Sequence, residues 1–178
     1  MEGIYHTIGS CPHINGALKM SVFLTSDLHL GWESTADRRG FSSISEHDDY
    51  ILHNLSFITK RDKLFVLGDV ARDPTSLMKL TEIRGVKDMV MGNHDLIQMS
   101  QYLKVFNRVW GFVKYKQFWL SHCPIHPQEM HRMRANIHGH IHNGGITGNI
   151  DGPYFNVNVD FNNYEPVSFM EIDKLFTN

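Results

Sequence analysis

Apolar and polar positions follow two different rhythms along this chain. Ser21-Val22-Phe23-Leu24-Thr25 is a short, mostly apolar run with polar neighbours, the pattern of a buried strand. A polar loop is predicted after it, from Asp27 to Gly40. Ile44, His47, Ile51, Leu55 and Ile58 then recur every three or four residues, which puts them on one face of a helix. Leu64-Phe65-Val66-Leu67 reads as a second strand, punctuated by Gly68. Asp73-Pro74 supplies an N-cap and a proline at the first helical position. The helix it opens carries Leu77, Leu80 and Ile83 on its apolar face and stops near Gly85. Val86 to Met91 is a third strand, ended by Gly92-Asn93.

Past Leu103 the rhythm shortens to strands, at 105–110, 112–115, 118–121, 135–138, 154–159 and 167–172. The first half thus alternates strand and helix, and the second half is mostly β. Parallel crossovers need connecting helices and hairpins do not, so an α/β architecture with a mixed or layered sheet is expected. Residues 1–19 scatter Gly, Pro and His without a period and read as a peripheral N-terminal extension. Residues 20–178 read as a single domain.

Composition narrows the function classes. At 178 residues the chain has the length of one domain and can bury a core without staples. Its longest apolar run, Leu64 to Leu67, is far too short to span a bilayer. The start, Met1-Glu2-Gly3, lacks the basic and apolar segments of a secretory signal. Two cysteines, Cys11 and Cys123, cannot form a disulfide framework, so a reducing, cytoplasmic setting is expected. Seventeen basic against nineteen acidic residues give a net charge of −2, which provides no long-range attraction to nucleic acid. The 12 histidines are the unusual feature.

Many of those histidines sit, with carboxylates, just past predicted strands. The blocks are Asp27-Leu28-His29, Gly68-Asp69-Val70-Ala71-Arg72, Gly92-Asn93-His94-Asp95, Ser121-His122-Cys123-Pro124 and Gly139-His140-Ile141-His142. Residues two apart on extended chain point the same way, so Asp27 with His29, and His140 with His142, can grip one ion. Ligand sites in open α/β sheets lie beyond the carboxyl ends of the strands, where five such tips can converge. Glycine before Asp69, Asn93 and His140 lets the backbone turn sharply there. Each block alone is a weak signal; all five in this order are a strong one.

The ordered set of motifs, spanning residues 27 to 142, resembles the calcineurin-like metallophosphoesterase superfamily, in particular its small single-domain bacterial or phage-borne members. The resemblance implies a β-sandwich of mixed sheets flanked by helices, a four-layer αββα arrangement, with two divalent ions. It assigns Asp27, His29 and His142 to the first ion and Asn93, His122 and His140 to the second, with Asp69 bridging both. It places His94 toward the substrate, with Asp95 orienting its ring, and Arg72 on phosphate. Imidazole, carboxylate and amide ligands together suit borderline ions, Mn²⁺ first, with Fe, Zn²⁺ or Ni²⁺ as alternatives.

The implied activity is hydrolysis of phosphate esters by a metal-bridging hydroxide, with His94 protonating the leaving oxygen. Diesters are favoured because 178 residues leave no room for a cap over a small monoester. A phosphomonoesterase using the same site, and a non-catalytic interaction module on the same fold, are the alternatives. A nucleotide or short oligonucleotide is a candidate substrate, since a local basic patch suffices for a short strand. No membrane partner is expected.

Other residues get quieter assignments. His47 falls on an apolar helix face and is expected in the core, and His138 is expected to be structural. His126 and His131 are read as solvated loop residues, with a phosphate-facing role as the competing possibility. Trp32, Arg38, Arg39 and Phe41 are expected on a surface loop with a half-buried Trp32, against a nucleobase-stacking role. Cys123 is expected to be a buried spectator thiol.

Overall fold

A computed structural model describes residues 20–142 and 152–177; the extension expected at 1–19 lies outside the described residues. In chain order the elements are β1 (Val22–Thr25), α1 (Glu33–Arg38), α2 (Ile44–Leu55), β2 (Lys63–Leu67), α3 (Pro74–Met78), β3 (Val86–Val90), α4 (Met99–Tyr102), β4 (Arg108–Trp110), β5 (Val113–Tyr115), β6 (Phe118–Leu120), β7 (Ala135–His138), β8 (Tyr154–Asn156), β9 (Val167–Ser168) and α5 (Phe169–Leu175). Single 3-10 turns occupy Lys79–Glu82, Pro127–Met130 and Val159–Phe161. No helix among the described residues is long and apolar enough to cross a membrane.

The strands form two mixed sheets, so the chain is an α/β protein, as its alternating patterns predict. The first sheet runs β4-β3-β2-β1-β9, with β1 to β4 parallel and β9 antiparallel at the edge. The second runs β5-β6-β7-β8, with a β5–β6 hairpin and parallel pairing from β6 to β8. Strand alternation divides the core in two. Leu64 and Val66 of β2 join Ile51, Leu55, Leu77 and Leu80 in a cluster between the first sheet and its helices. Phe65 and Leu67 of the same strand point the other way, against Phe118, Leu120, Ala135 and Ile137 of the second sheet. The outer face of the second sheet carries the 127–130 turn, to which Trp119 Nε1 donates at 2.9 Å through the Glu129 carbonyl.

Local chemistry sets the helix starts. Ser43 Oγ accepts from the Glu46 amide at the start of α2. Asp73 accepts from the Thr75 and Ser76 amides at 2.9 and 3.0 Å, ahead of Pro74 at the start of α3.

Several predicted elements are redrawn. The polar loop expected over 27–40 contains α1, a helix of six residues that buries only Thr35 and Ala36 and is too short to show a period. The strand expected over 167–172 ends at Ser168, where α5 begins and sends Phe169 and Ile172, three residues apart, into the inter-sheet core. The strand expected from 105 begins at Arg108, because Val105 and Phe106 turn back on Tyr102 and join the helix-side core. The strand expected to reach Val159 stops at Asn156, where Asn158 instead caps the 159–161 turn.

Candidate metal centre

The carboxyl ends of β1, β2 and β3 in one sheet, and of β6 and β7 in the other, open toward one another, and each is followed by one of the five histidine- and carboxylate-bearing blocks. The approach of these tips is close. A Cβ added at Gly92 would run into the Asp69 carboxylate and amide, and one at Gly139 would run into Ser26 and the Asp27 carboxylate. Only Gly68, at φ 88°, uses the left-handed freedom expected of these three glycines; the other two are needed for space.

Three side-chain groups offer ligand atoms that all lie within 4.8 Å of one another: Asp27 with His29 and His142, Asp27 with Asp69 and His122, and His122 with Cys123 and His140. His29 Nε2 lies 3.3 Å from His142 Nε2 and 3.7 Å from Asp69 Oδ2. On the other side of Asp69, His122 Nε2 lies 3.4 Å from the same Oδ2, 3.0 Å from Asn93 Oδ1 and 3.2 Å from His140 Nδ1. Asp27, His29, Asp69, Asn93, His122, His140 and His142 are therefore gathered in one place, with Asp69 between the His29 and His122 sides.

The surroundings dictate which atoms face inward. His122 Nδ1 lies 2.8 Å from the Leu67 carbonyl, and His142 Nδ1 lies 2.7 Å from Asp160 Oδ2. A carbonyl or carboxylate can only accept, so Nδ1 carries a proton in both rings and Nε2 is the atom each ring turns toward the centre. Asp27 Oδ2 accepts from Ser26 Oγ at 2.6 Å and from the His140 amide at 3.0 Å. Among the described residues its Oδ1 is buried without an assigned hydrogen-bond partner, although His142 Nε2 stands 3.2 Å away. Asp69 Oδ1 accepts from the His94 amide at 2.9 Å, which leaves Oδ2 for the centre. Facing lone pairs at these distances repel unless a proton or cation sits between them. The donor set, nitrogen and oxygen with an orphaned buried carboxylate oxygen, fits a divalent ion.

Electrostatics support the same polarity. Burial pushes the Asp69 carboxyl up, but the His122 and His29 imidazoles and the His94 amide outweigh it and hold Asp69 at about 2. Burial lowers His142, yet Asp160 and Asp27 raise it to about 9. His29, enclosed with less compensation, is lowered by burial to about 4 and stays neutral at pH 7.

The residues expected to act on substrate are placed less uniformly. His94 is exposed, with its ring 5.8 Å from that of His29 and 6.1 Å from half-buried Trp32, and its ring makes no hydrogen bond among the described residues. Arg72 is exposed, its backbone amide tied to the Leu30 carbonyl at 2.9 Å. The orienting role expected of Asp95 is corrected: its buried carboxylate accepts from the Asp69, Val70 and Gly92 amides at 2.8, 2.9 and 2.7 Å and from the Tyr102 hydroxyl at 3.3 Å. Those four donors take its lone pairs, so it ties the Asp69 tip to the Asn93 tip and does not hold the His94 ring.

Cys123 is also corrected, being exposed rather than buried. His47 is fully buried and His138 likewise, as expected of core residues. His126 is exposed and caps the 127–130 turn by accepting from the Gln128 amide, and His131 is exposed.

Sequence reasoning missed Asp160 and misjudged Arg39. The Arg39 side chain is 3% exposed and bonded to Asp160, not displayed on a loop. No motif or period marks either residue; only the return of the chain after β8 brings Asp160 behind His142.

Comparison with known proteins gives a structural neighbour and no functional one. No protein-family model matches the chain, and no curated protein matches it. Among solved structures it is similar to AQ665 from Aquifex aeolicus, a protein described as of unknown function. The two are 27% identical, with a TM-score of 0.69 over 88% of this chain and 100% of AQ665. The same arrangement of sheets and helices therefore recurs in a second protein.

Proposed function

We propose that this chain is a dinuclear metal-dependent phosphoesterase of the calcineurin-like type, acting on phosphodiesters. The observation that carries the proposal is the position of Asp69, whose Oδ2 lies between His29 Nε2 and His122 Nε2, each backed by further ligand atoms. In this reading Asp27, His29 and His142 would hold one ion and Asn93, His122 and His140 the other, with Asp69 available to both. When bound, a pair of divalent ions supplies Lewis-acid activation of the phosphoryl group and of water. Mn²⁺, Fe, Zn²⁺ and Ni²⁺ all suit this mixture of nitrogen and oxygen donors.

The protein's own groups do the rest. His94, exposed beside the centre and with ring nitrogens unengaged among the described residues, meets the phosphate ester and gives a proton to the leaving oxygen. Its backbone amide, bonded to Asp69 Oδ1, fixes the ring's starting point relative to the centre. Arg72, exposed beside the same tips, pairs with a non-bridging phosphoryl oxygen. Asp95 holds the Asp69 and Asn93 loops in register from below. His94 is exposed, so a second substituent on phosphorus meets solvent there, which favours diesters, nucleotide-derived ones among them.

The test is hydrolysis of bis(p-nitrophenyl) phosphate and of p-nitrophenyl phosphate after reconstitution with Mn²⁺. Diester turnover should exceed monoester turnover, and His94→Ala should lose about 10²–10⁴-fold while keeping its metal content. Preference for the monoester would replace the diester assignment with a phosphatase one. Two bound ions without turnover on either substrate would leave a binding module in place of an enzyme.

A further inference from the structure

One guanidinium stands behind the whole Asp27–His29–His142 group. Arg39 follows α1, and its Nε donates to Asp160 Oδ1 at 2.7 Å. Its Nη2 donates to the Asp27 carbonyl at 2.8 Å and its Nη1 to the Leu28 carbonyl at 3.1 Å. Those carbonyls belong to a turn in which Asp27 and His29 both adopt left-handed backbone, at φ 59° and 49°. Side chains with a Cβ rarely adopt such backbone unless the surroundings enforce it. Asp160, the third partner, accepts from His142 Nδ1. Two of the three side chains are thus fixed through the backbone that Arg39 holds, and the third through the carboxylate that Arg39 holds.

The guanidinium is itself held. His47 Nδ1 lies 2.9 Å from Asp48 Oδ1, so it carries the proton and leaves Nε2 to accept from Arg39 Nη1 at 2.9 Å. Asp48 in turn receives Lys79 Nζ at 2.8 Å and the Gly31 amide at 3.1 Å. Tyr164 lies under the guanidinium, 5.6 Å from its carbon to the ring centroid.

We propose that Arg39 is a positioning residue for the ion held by Asp27, His29 and His142, acting from outside the coordination shell through the 27–28 backbone and through Asp160. The proposal rests on the two-ion reading above. It requires the planar fork of arginine, because four directed N–H bonds leave at different angles and a lysine ammonium cannot supply them from one point. Residues that support metal ligands in this way typically control affinity by about 10–100-fold.

Binding of Mn²⁺ to full-length wild type, Arg39→Lys and Asp160→Asn, by calorimetry and elemental analysis, tests this, with far-UV circular dichroism and thermal melting of each ion-free protein. Wild type should bind two ions. Each folded variant should keep one at wild-type affinity, at Asn93, His122 and His140, and bind the other about 10–100-fold more weakly. A purely structural role would lower the melting temperature while both ions still bind folded protein normally, and that result overturns the proposal. If Arg39→Lys does not fold, Asp160→Asn decides alone, since it keeps the side-chain shape but replaces one of the two oxygens that accept from Arg39 Nε and His142 Nδ1 with an NH2 that cannot accept. If wild type itself binds no ion, the two-ion reading fails first and this proposal falls with it.

Discussion

In the proposed two-ion reading, a proton and a divalent ion would compete for His142 Nε2. In the ion-free protein Asp160 and Asp27 outweigh burial and keep this imidazole protonated up to about pH 9. Its folded value lies above the unfolded value of about 6.5, so the protonated ring stabilises the ion-free fold fully below about pH 6.5 and that stabilisation is lost as pH rises through 9. An ion taking Nε2 must expel that proton. Affinity for the first ion should therefore strengthen by up to ~10-fold per pH unit between about 6.5 and 9 and then level off. Metal titrations across this range, paired with an NMR titration of the ring, measure both quantities. An affinity flat in pH, with His142 titrating near 6.5, would contradict the arrangement. His29 adds little here, because burial already keeps it neutral at pH 7.

Among single residues, chemistry was more legible than conformation. Asp27-x-His29 advertises a ligand pair, and the two side chains do meet in one group. The reason given by the pattern was extended chain, whereas the backbone there is left-handed at both residues, as it is at Asp69 and His140. Left-handed turns at residues with a Cβ leave no signature in composition or spacing; they persist because surrounding bonds, such as those from Arg39, enforce them. Asp95 shows the same limit from the other side. Its place next to His94 in sequence suggested a partner for that ring, and the fold instead turns it down into three backbone amides.

At the scale of elements, β2 was legible because it is apolar on both faces, as a strand with a core on each side must be. Its alternate residues serve two different cores, so deletions in it should be costly. Leu67→Ala, fully buried between the sheets just before the Gly68-Asp69 tip, should destabilise the protein by about 2–5 kcal/mol. Met170→Ala on the exposed side of α5 should change stability by less than about 0.5 kcal/mol. Urea denaturation compares the two directly, and equal midpoints would refute the assignment of Leu67 to the inter-sheet core. The short elements were not legible for a physical reason. A six-residue helix such as α1 completes fewer than two turns, so Thr35 and Ala36 alone mark its buried side. At Phe169 and Ile172 a spacing of three inside a run already read as strand was the available clue to α5.

Across the whole molecule, the two sheets act as a frame that brings five loops together from positions more than a hundred residues apart, from Asp27 to His142. The strands that carry those loops run parallel to one another within each sheet, and the antiparallel strands β9 and β5 lie at the edges, beside β1 and β6. Convergence could be foreseen from strand order, since parallel strands send their carboxyl ends to one side. The support behind the loops could not, because Arg39, His47, Asp48, Lys79 and Asp160 come from four separate segments with no shared motif. The central claim is that this frame holds two ions astride Asp69. Crystals of the Mn²⁺-loaded protein, measured at the manganese absorption edge, test it most directly. Two anomalous peaks about 3.5–4 Å apart should appear, one against Asp27, His29 and His142, the other against Asn93, His122 and His140, with Asp69 reaching both. A single peak, or none within reach of Asp69, would contradict the account.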